Sequence, residues 1–242
     1  MATRCENCPL RRRDLFIPLT NDDVQVMQRF KVGELVVDAG TPLLMEGSNS
    51  AQLFTALHGM GLRYKLLPNG KRQVVNLIFP GDFIGLQAGI MGKMGHSVEA
   101  TTNMTLCVFD RSAVWSFFKE QPERAYAVTW LAAVEEHFMG EALSTLGQRD
   151  ARQSVSWALT RIFLRGQALG LVENNTMALP YKQQDLADAL GLSLVHTNKT
   201  LAYLRERQLV QWSDNTLRIF DLDDLADAAL IENTEIVQRP IM

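Results

Sequence analysis

Residues Tyr181–Leu222 read YKQQDLADALGLSLVHTNKTLAYLRERQLVQWSDNTLRIFDL. Gln183–Leu190 places Leu186, Ala187 and Leu190 at helical spacing, and Gly191 follows as a turn residue. Ser193 is a good N-cap, because its hydroxyl accepts one of the free amides of a helical first turn. A second helix therefore runs from Ser193 to about Arg207. Leu209–Trp212 and Thr216–Phe220 flank Ser213, Asp214 and Asn215, a pattern that predicts a hairpin. Helix, glycine turn, helix and β-wing is the order of a winged helix-turn-helix.

The second of these helices divides by face. Thr197, Leu201 and Leu204 share one side and are expected to pack on Leu186, Ala187 and Leu190. Val195, Asn198, Lys199 and Ala202 fall at i, i+3, i+4 and i+7 on another side. An amide, an ammonium and an aliphatic group on one exposed face suit a DNA major groove. Asn pairs with adenine N6 and N7, Lys donates to guanine or phosphate, and Val meets a thymine methyl. His196, Arg205 and Arg207 flank that face, where they could meet phosphates. Ser193, Leu194, Val195, His196, Asn198, Lys199 and Arg205 are thus the candidate DNA-contact residues. The competing reading is a solvated helix in an ordinary helical hairpin, which the adjoining wing disfavours.

Upstream, residues 111–165 lack a Gly-Pro cluster and carry a helical pattern. Ala127, Leu131, Val134 and Phe138 step by four, three and four, the spacing of an apolar seam. One reading is a helix packed on its own domain; the other is a helix that pairs with its twin across a dimer axis. Gly147 offers a flexible point before a further helix from Asp150 to Arg165, and Gly166–Pro180 reads as a loop-rich link.

Further upstream, Gly33, Gly40, Gly47, Gly59, Gly61, Gly70, Gly81 and Gly85 punctuate short apolar stretches. These are Glu34–Val37, Leu53–Leu57, Leu62–Leu66, Val74–Phe79 and Thr105–Phe109, with Asn69-Gly70 as a hairpin signal. Short strands with turns every 8–12 residues predict an antiparallel β-roll or jelly roll. The fold class expected is α+β: a β-roll and N-terminal segment at 1–115, a dimerisation helix and hinge at 116–147, and a winged helix-turn-helix at 148–242.

The net charge of −3 argues against a protein that coats nucleic acid along its whole surface, and leaves room for a local basic patch. No apolar run approaches the ~18 residues that span a bilayer, and MATRCENCPLRRRDLF lacks the apolar core of a secretory signal. A cytoplasmic location, with no membrane partner, is expected. His58, His96, His137 and His196 are too scattered for a metal or catalytic set. No Walker loop appears, and Gly59-Met60-Gly61 is no dinucleotide fingerprint. A cupin-like enzyme would need clustered His and Glu inside its barrel, so no enzyme is expected.

The chain from about Cys5 to about Ala229 resembles the CRP/FNR superfamily of bacterial transcription regulators. PGDFIG at Pro80–Gly85 is similar to that family's β-roll turn, and QQDLADALGLS at Gln183–Ser193 to the first helix and turn of its DNA domain. The resemblance implies a homodimer on a palindromic DNA site, RNA polymerase as a partner, and a signal received in the β-roll. Members that bind cyclic AMP hold the ribose with an acid and the cyclic phosphate with an Arg-Ser arginine. Here Ile84, Gly85 and Leu86 supply no acid, and His96-Ser97 replaces Arg-Ser. Cyclic AMP is not expected, because a neutral imidazole is a poor replacement for a guanidinium fork. The family's recognition helix usually carries a Glu and an Arg where this chain has Val195 and Lys199. The half-site should therefore depart from the family's TTGA or TGTGA core.

The oxygen-sensing branch resembles the chain more closely. It places Cys-x2-Cys-x5-Cys near the N-terminus and a fourth cysteine late in the β-roll, around a [4Fe–4S] cluster. Cys5, Cys8 and Cys107 stand at three of those positions, and Asp14 stands where the third N-terminal cysteine would be. A carboxylate can bind iron but is harder than thiolate. The resemblance thus implies a cluster on Cys5, Cys8, Cys107 and Asp14. The residues also allow a regulator with no cofactor, in which Cys107 is a small buried hydrophobe, and a third reading with another metal or direct thiol chemistry.

Overall fold

The computed structural model describes residues 2–232, 235 and 237–242. The chain divides into two compact units: residues 1–134 with 238–242, and residues 135–237.

The first unit is a β-roll. One sheet has the order β1-β8-β3-β6, from Lys31–Val37, Met104–Asp110, Gln52–His58 and Phe83–Ile84. The other has the order β2-β7-β4-β5, from Pro42–Leu44, Ser97–Ala100, Gly61–Leu66 and Arg72–Ile78. All pairings within both sheets are antiparallel. The expected strands are present, and the Asn69-Gly70 signal lies in the β4–β5 connection, where Gly70 adopts φ 81°. Phe54, Ala56, Ile78, Ile84, Val98, Met104, Leu106 and Val108 form the core between the sheets.

Strand alternation sends Thr55, Cys107 and Phe109 to the opposite, outer face of the first sheet. Helices cover that face. α1 (Asn21–Phe30) stacks Phe30 on Phe109 at 4.9 Å and on Phe117 of α3 (Val114–Glu120) at 4.2 Å. α1 is not among the expected elements, although its start is written as Thr20-x-x-Asp23. The Asp23 amide donates to Thr20 Oγ1 at 3.1 Å, and the Thr20 amide donates back to the Asp23 carboxylate at 2.9 Å. A short helix α2 (Leu86–Met91) follows the Pro80–Gly85 turn.

α4 (Pro122–Gln148) is one continuous helix, within which the two units divide. Gly147 does not interrupt it; the break comes at Arg149-Asp150. There Asp150 caps α5 (Ala151–Ala168), accepting the Arg152 and Gln153 amides at 2.8 and 2.9 Å. The expected apolar seam of α4 is partly occupied within the protomer, with Val134 and Phe138 only half-buried. Ala127 and Leu131 are buried, and Phe138 stacks on Trp157 of α5 with centroids 6.1 Å apart. The large apolar side chains that α4 leaves exposed are Tyr126 near its start and, on another stripe, Met139, Leu143 and Leu146, with Leu143 72% exposed. The helical period holds, but the free apolar face is a different one, because periodicity alone cannot say which neighbour claims a face.

The second unit holds α5, then β9 (Thr176–Ala178), α6 (Gln183–Leu190), α7 (Leu194–Glu206), β10 (Val210–Ser213), β11 (Thr216–Ile219) and α8 (Leu222–Ala228). β10 and β11 form the expected wing, turning through Asp214 at φ 52° and Asn215 at φ 57°. Two successive residues at positive φ suit the twist of a tight hairpin. β9 lies in the stretch expected to be loop and adds a third strand to the wing, in the order β10-β11-β9.

Candidate nucleic-acid interface

α6, Gly191 and α7 build the helix-turn-helix from local rules. Asp185, at the third position of α6, accepts the Lys182 amide at 2.8 Å. Gly191 closes the helix in the left-handed region at φ 64°, where a side chain would be strained. Ser193 then caps α7, its hydroxyl accepting the His196 amide at 3.2 Å. This leaves the Ser193 hydroxyl proton free to donate outward.

The faces of α7 separate as the sequence suggested. Thr197, Leu201 and Leu204 are buried at 0%, 9% and 1% exposure, with Leu186, Ala187 and Leu190 of α6 buried as well. Thr197 Oγ1 donates to the Ser193 carbonyl at 3.1 Å, which lets a hydroxyl lie in the interior without an unmet partner. Thr200 is also buried, at 4%, a position the sequence reading did not assign. Ser193, Leu194, Val195, His196, Asn198, Lys199 and Arg205 are all exposed. Val195, at 65% exposure, stands out because an isolated valine gains nothing from water there. The structure thus places every candidate DNA-contact residue on the accessible surface of one helix. Arg207 packs against the Tyr203 ring, 5.4 Å from its centroid, and Arg152 packs against the same ring at 4.0 Å.

The wing is anchored to the same body. Trp212 Nε1 donates to the Leu179 carbonyl at 3.4 Å, and Arg218 lies over the Phe220 ring at 4.8 Å. Arg218 is exposed on the wing and is not among the residues picked out from the sequence. Its position on a wing strand, alternating with buried Leu217 and Ile219, was the available signal.

The cysteines lie in the other unit. Cys5 and Cys8 are half-buried at the ends of a short 3-10 turn, and Cys107 is buried on β8. Cys8 lies close enough to both Cys5 and Cys107 for their charges to interact, so the three sulfurs share one neighbourhood. A cation acts on two of them, Cys5 and Cys107. Lys31 Nζ donates to the Thr3 carbonyl at 2.7 Å and to Glu34 Oε1 at 2.7 Å, with side-chain exposures of 4% and 12% for the pair. Glu34 Oε1 also accepts the Thr3 amide at 3.0 Å. Burial pushes the Cys107 thiol up to about 11 and the Cys5 thiol upward, each partly offset by Lys31. Burial pulls the Lys31 ammonium down and the Glu34 carboxyl up, yet the ion pair outweighs it and shifts both toward their charged forms.

This donor set does not match a four-ligand cluster. It supplies three sulfurs, and the Lys31 ammonium, bonded to Glu34, acts on Cys5 and Cys107. Asp14 is exposed, and its carbonyl is engaged by Gln238. Among the described residues, no group of three or more His, Cys, Asp or Glu is arranged to hold a metal ion. Where a cyclic phosphate would be held by analogy, Ser97 Oγ accepts the Glu46 amide at 3.0 Å.

Residues 34–121 match the family described as cyclic nucleotide-binding domain, and residues 151–228 match the Crp-like helix-turn-helix domain. The nitrogen fixation regulation protein FixK of Bradyrhizobium diazoefficiens is 28% identical, over 83% of each chain. The transcriptional activator protein FnrL of Cereibacter sphaeroides is 25% identical, over 84% of this chain and 82% of that one. Among solved structures, FixK2 of Bradyrhizobium japonicum superposes with a TM-score of 0.74 at 22% identity, covering 81% of this chain and 96% of that one. A CRP-family transcriptional regulator of Thermus thermophilus gives 0.67 at 20% identity, covering 84% of this chain and 100% of the other. These two likenesses establish a common fold. Among the described residues, no helix is long and apolar enough to cross a membrane.

Proposed function

The chain belongs to the CRP/FNR superfamily of transcription regulators, on the FNR-like side, and on that premise we propose that it binds a palindromic promoter site as a homodimer through the exposed face of α7. It is a DNA-binding regulator and not an enzyme. The observation that carries the proposal is the exposed set Val195, Asn198 and Lys199 above the buried Thr197, Leu201 and Leu204. Asn198 reads adenine, Lys199 donates to guanine or phosphate, and Val195 covers a thymine methyl. Ser193, Leu194, His196 and Arg205 surround them at the level of the DNA backbone.

Two such helices, about 34 Å apart, enter successive major grooves. The second copy supplies the other helix, and the exposed stripe Met139, Leu143 and Leu146 of α4 is the surface that meets it. Relatives are named transcriptional activators. This chain then activates as they do, in the cytoplasm, by contact with RNA polymerase.

The signal is read at the N-terminal segment and β8, where Lys31 lies near Cys5 and Cys107. Thiol chemistry, or regulation without a cofactor, fits the donors present. The cluster reading is supported by the shared neighbourhood of the three cysteines and opposed by the missing fourth ligand. Iron and sulfide analysis after anaerobic purification separates them: iron-free protein that binds its promoter in full ends the cluster reading.

The test of the DNA interface is anisotropy against a promoter fragment over a salt series. Arg205→Ala should weaken all sequences alike and reduce the salt slope by about one. An unchanged slope together with unchanged affinity would remove Arg205 from the interface.

A further inference from the structure

The β-roll unit contains a piece of chain from the far end of the sequence. After Val237 the polypeptide leaves the DNA-binding unit, and Gln238–Met242 belong to the β-roll unit. The seat of this segment is built from specific contacts. The Arg239 amide donates to the Leu15 carbonyl at 2.9 Å, and the Ile17 amide donates to the Arg239 carbonyl at 2.9 Å, forming a parallel bridge. Gln238 Nε2 donates to the Asp14 carbonyl at 2.9 Å. Arg239 Nη1 reaches Asp82 Oδ1 at 3.3 Å, with 9% and 1% side-chain exposure. Thr55 Oγ1 donates to the Met242 carbonyl. Ile241 and Met242 are buried at 5% and 4%.

The seat also joins parts of the sensor that are distant in sequence. Asp82 lies in the Pro80–Gly85 turn, and its other carboxylate oxygen accepts the Phe79 amide at 2.9 Å. Phe16 lies so close to Gly81 that a Cβ there would come 2.1 Å from the ring. Thr55 is the direct cross-strand partner of Cys107. Leu15–Ile17 lead back to the segment that carries Cys5 and Cys8.

We propose that the outer face of the β1-β8-β3-β6 sheet is a peptide-binding site for the extended sequence Gln-Arg-Pro-Ile-Met, and that its occupancy by Gln238–Met242 makes a second tether between the sensor and DNA-binding units. The first tether is α4. The second is short: ten steps of chain separate Ala228, at the end of α8, from Gln238, a span of at most about 35 Å. A leash of that length restricts the positions open to the DNA-binding unit, so less freedom is lost when two recognition helices dock on one site. The DNA consequence rests on the function proposed above; the peptide site does not.

Three proteins test this: the full chain, a chain ending at Val237, and a full chain with ten Gly-Ser residues inserted after Glu232. The synthetic peptide Gln-Arg-Pro-Ile-Met should bind the shortened chain at one-to-one stoichiometry in titration calorimetry, and the full chain should not take it up. Asp82→Asn in the shortened chain should weaken that binding at least tenfold. The Ile17 amide should exchange with solvent faster in the shortened chain and stay protected in the one with the insertion. Both altered chains should bind promoter DNA at least fivefold more weakly than the full chain. Added peptide should not restore the shortened chain, because a leash must be covalent. No peptide binding, with Ile17 equally protected in all three proteins, overturns the site. Peptide binding with equal DNA affinities overturns the tether and leaves the site.

Discussion

Leu143 is the residue whose replacement discriminates best between the two faces of α4. It is 72% exposed, midway between Met139 at 44% and Leu146 at 45%. Burying a leucine side chain contributes roughly 1.5–3 kcal/mol, and about 0.7 of that remains to be gained at Leu143. A two-fold interface uses the residue twice, so Leu143→Ala removes about 2–4 kcal/mol of dimer free energy. At 1.4 kcal/mol per decade, that is a dimer dissociation constant raised about 30- to 700-fold. Leu143→Asp goes further, because it leaves a carboxylate to be desolvated in the interface. Phe138→Ala is the control, since its ring stacks on Trp157 of the same chain. It should lower the melting temperature of the protomer while changing association little. Sedimentation equilibrium across the micromolar range, with thermal unfolding followed by circular dichroism, reads both effects. If Leu143→Asp remains fully dimeric at about 1 μM and Phe138→Ala yields folded monomer, the interface lies on the Phe138 face, and the assignment from exposure is wrong.

Two further outcomes follow from the cysteine neighbourhood. Lys31→Met leaves the largely buried Glu34 carboxylate with Thr3 as its remaining partner, and losing one member of a buried pair costs about 3–5 kcal/mol. Denaturant unfolding of the β-roll unit at neutral pH should show it, with the double variant Lys31→Met/Glu34→Leu recovering most of the loss; a change under about 1 kcal/mol would mean that the pair is open to water. Cys107, with its pKa raised to about 11, is almost wholly a thiol at pH 8. Raising the pH through 9 to 11 should therefore speed its alkylation by iodoacetamide; rapid labelling of Cys107 in the folded protein already at pH 8, at the rate seen in denaturant, would contradict its burial.

What the sequence made legible was local. Ser193 and Gly191 declare the start of α7 and the end of α6 because a cap and a left-handed turn are properties of a few adjacent residues. Val195, Asn198 and Lys199 declare their face for the same reason: helical spacing alone separates them from Thr197, Leu201 and Leu204. The Asn69-Gly70 hairpin and the strands beside it are readable too. What could not be read depends on partners distant along the chain. β9 is strand only because β11 pairs with it. Phe138 is half-buried because the Trp157 ring stacks on it. Lys31 looks like an ordinary basic residue until β1 brings it between Glu34 and Cys107. Arg239 is paired because the chain returns to Asp82, 157 positions away. α1 is the exception, since its Thr20-x-x-Asp23 cap is visible in the sequence and is not among the expected elements.

The central claim is that the exposed face of α7 reads DNA bases, and binding-site selection from a random duplex library tests it most directly. The wild-type protein should select a palindrome with half-sites about one helical turn apart, whose core departs from TTGA and TGTGA because Val195 cannot accept a hydrogen bond from cytosine. Asn198→Ala should lose about 1–3 kcal/mol of discrimination at one symmetric pair of adenines and retain the rest of the site. Selection of an unaltered family core by the wild-type protein, with Asn198→Ala choosing the same bases, would contradict the account, because the face assigned here would then not be the one that touches the bases.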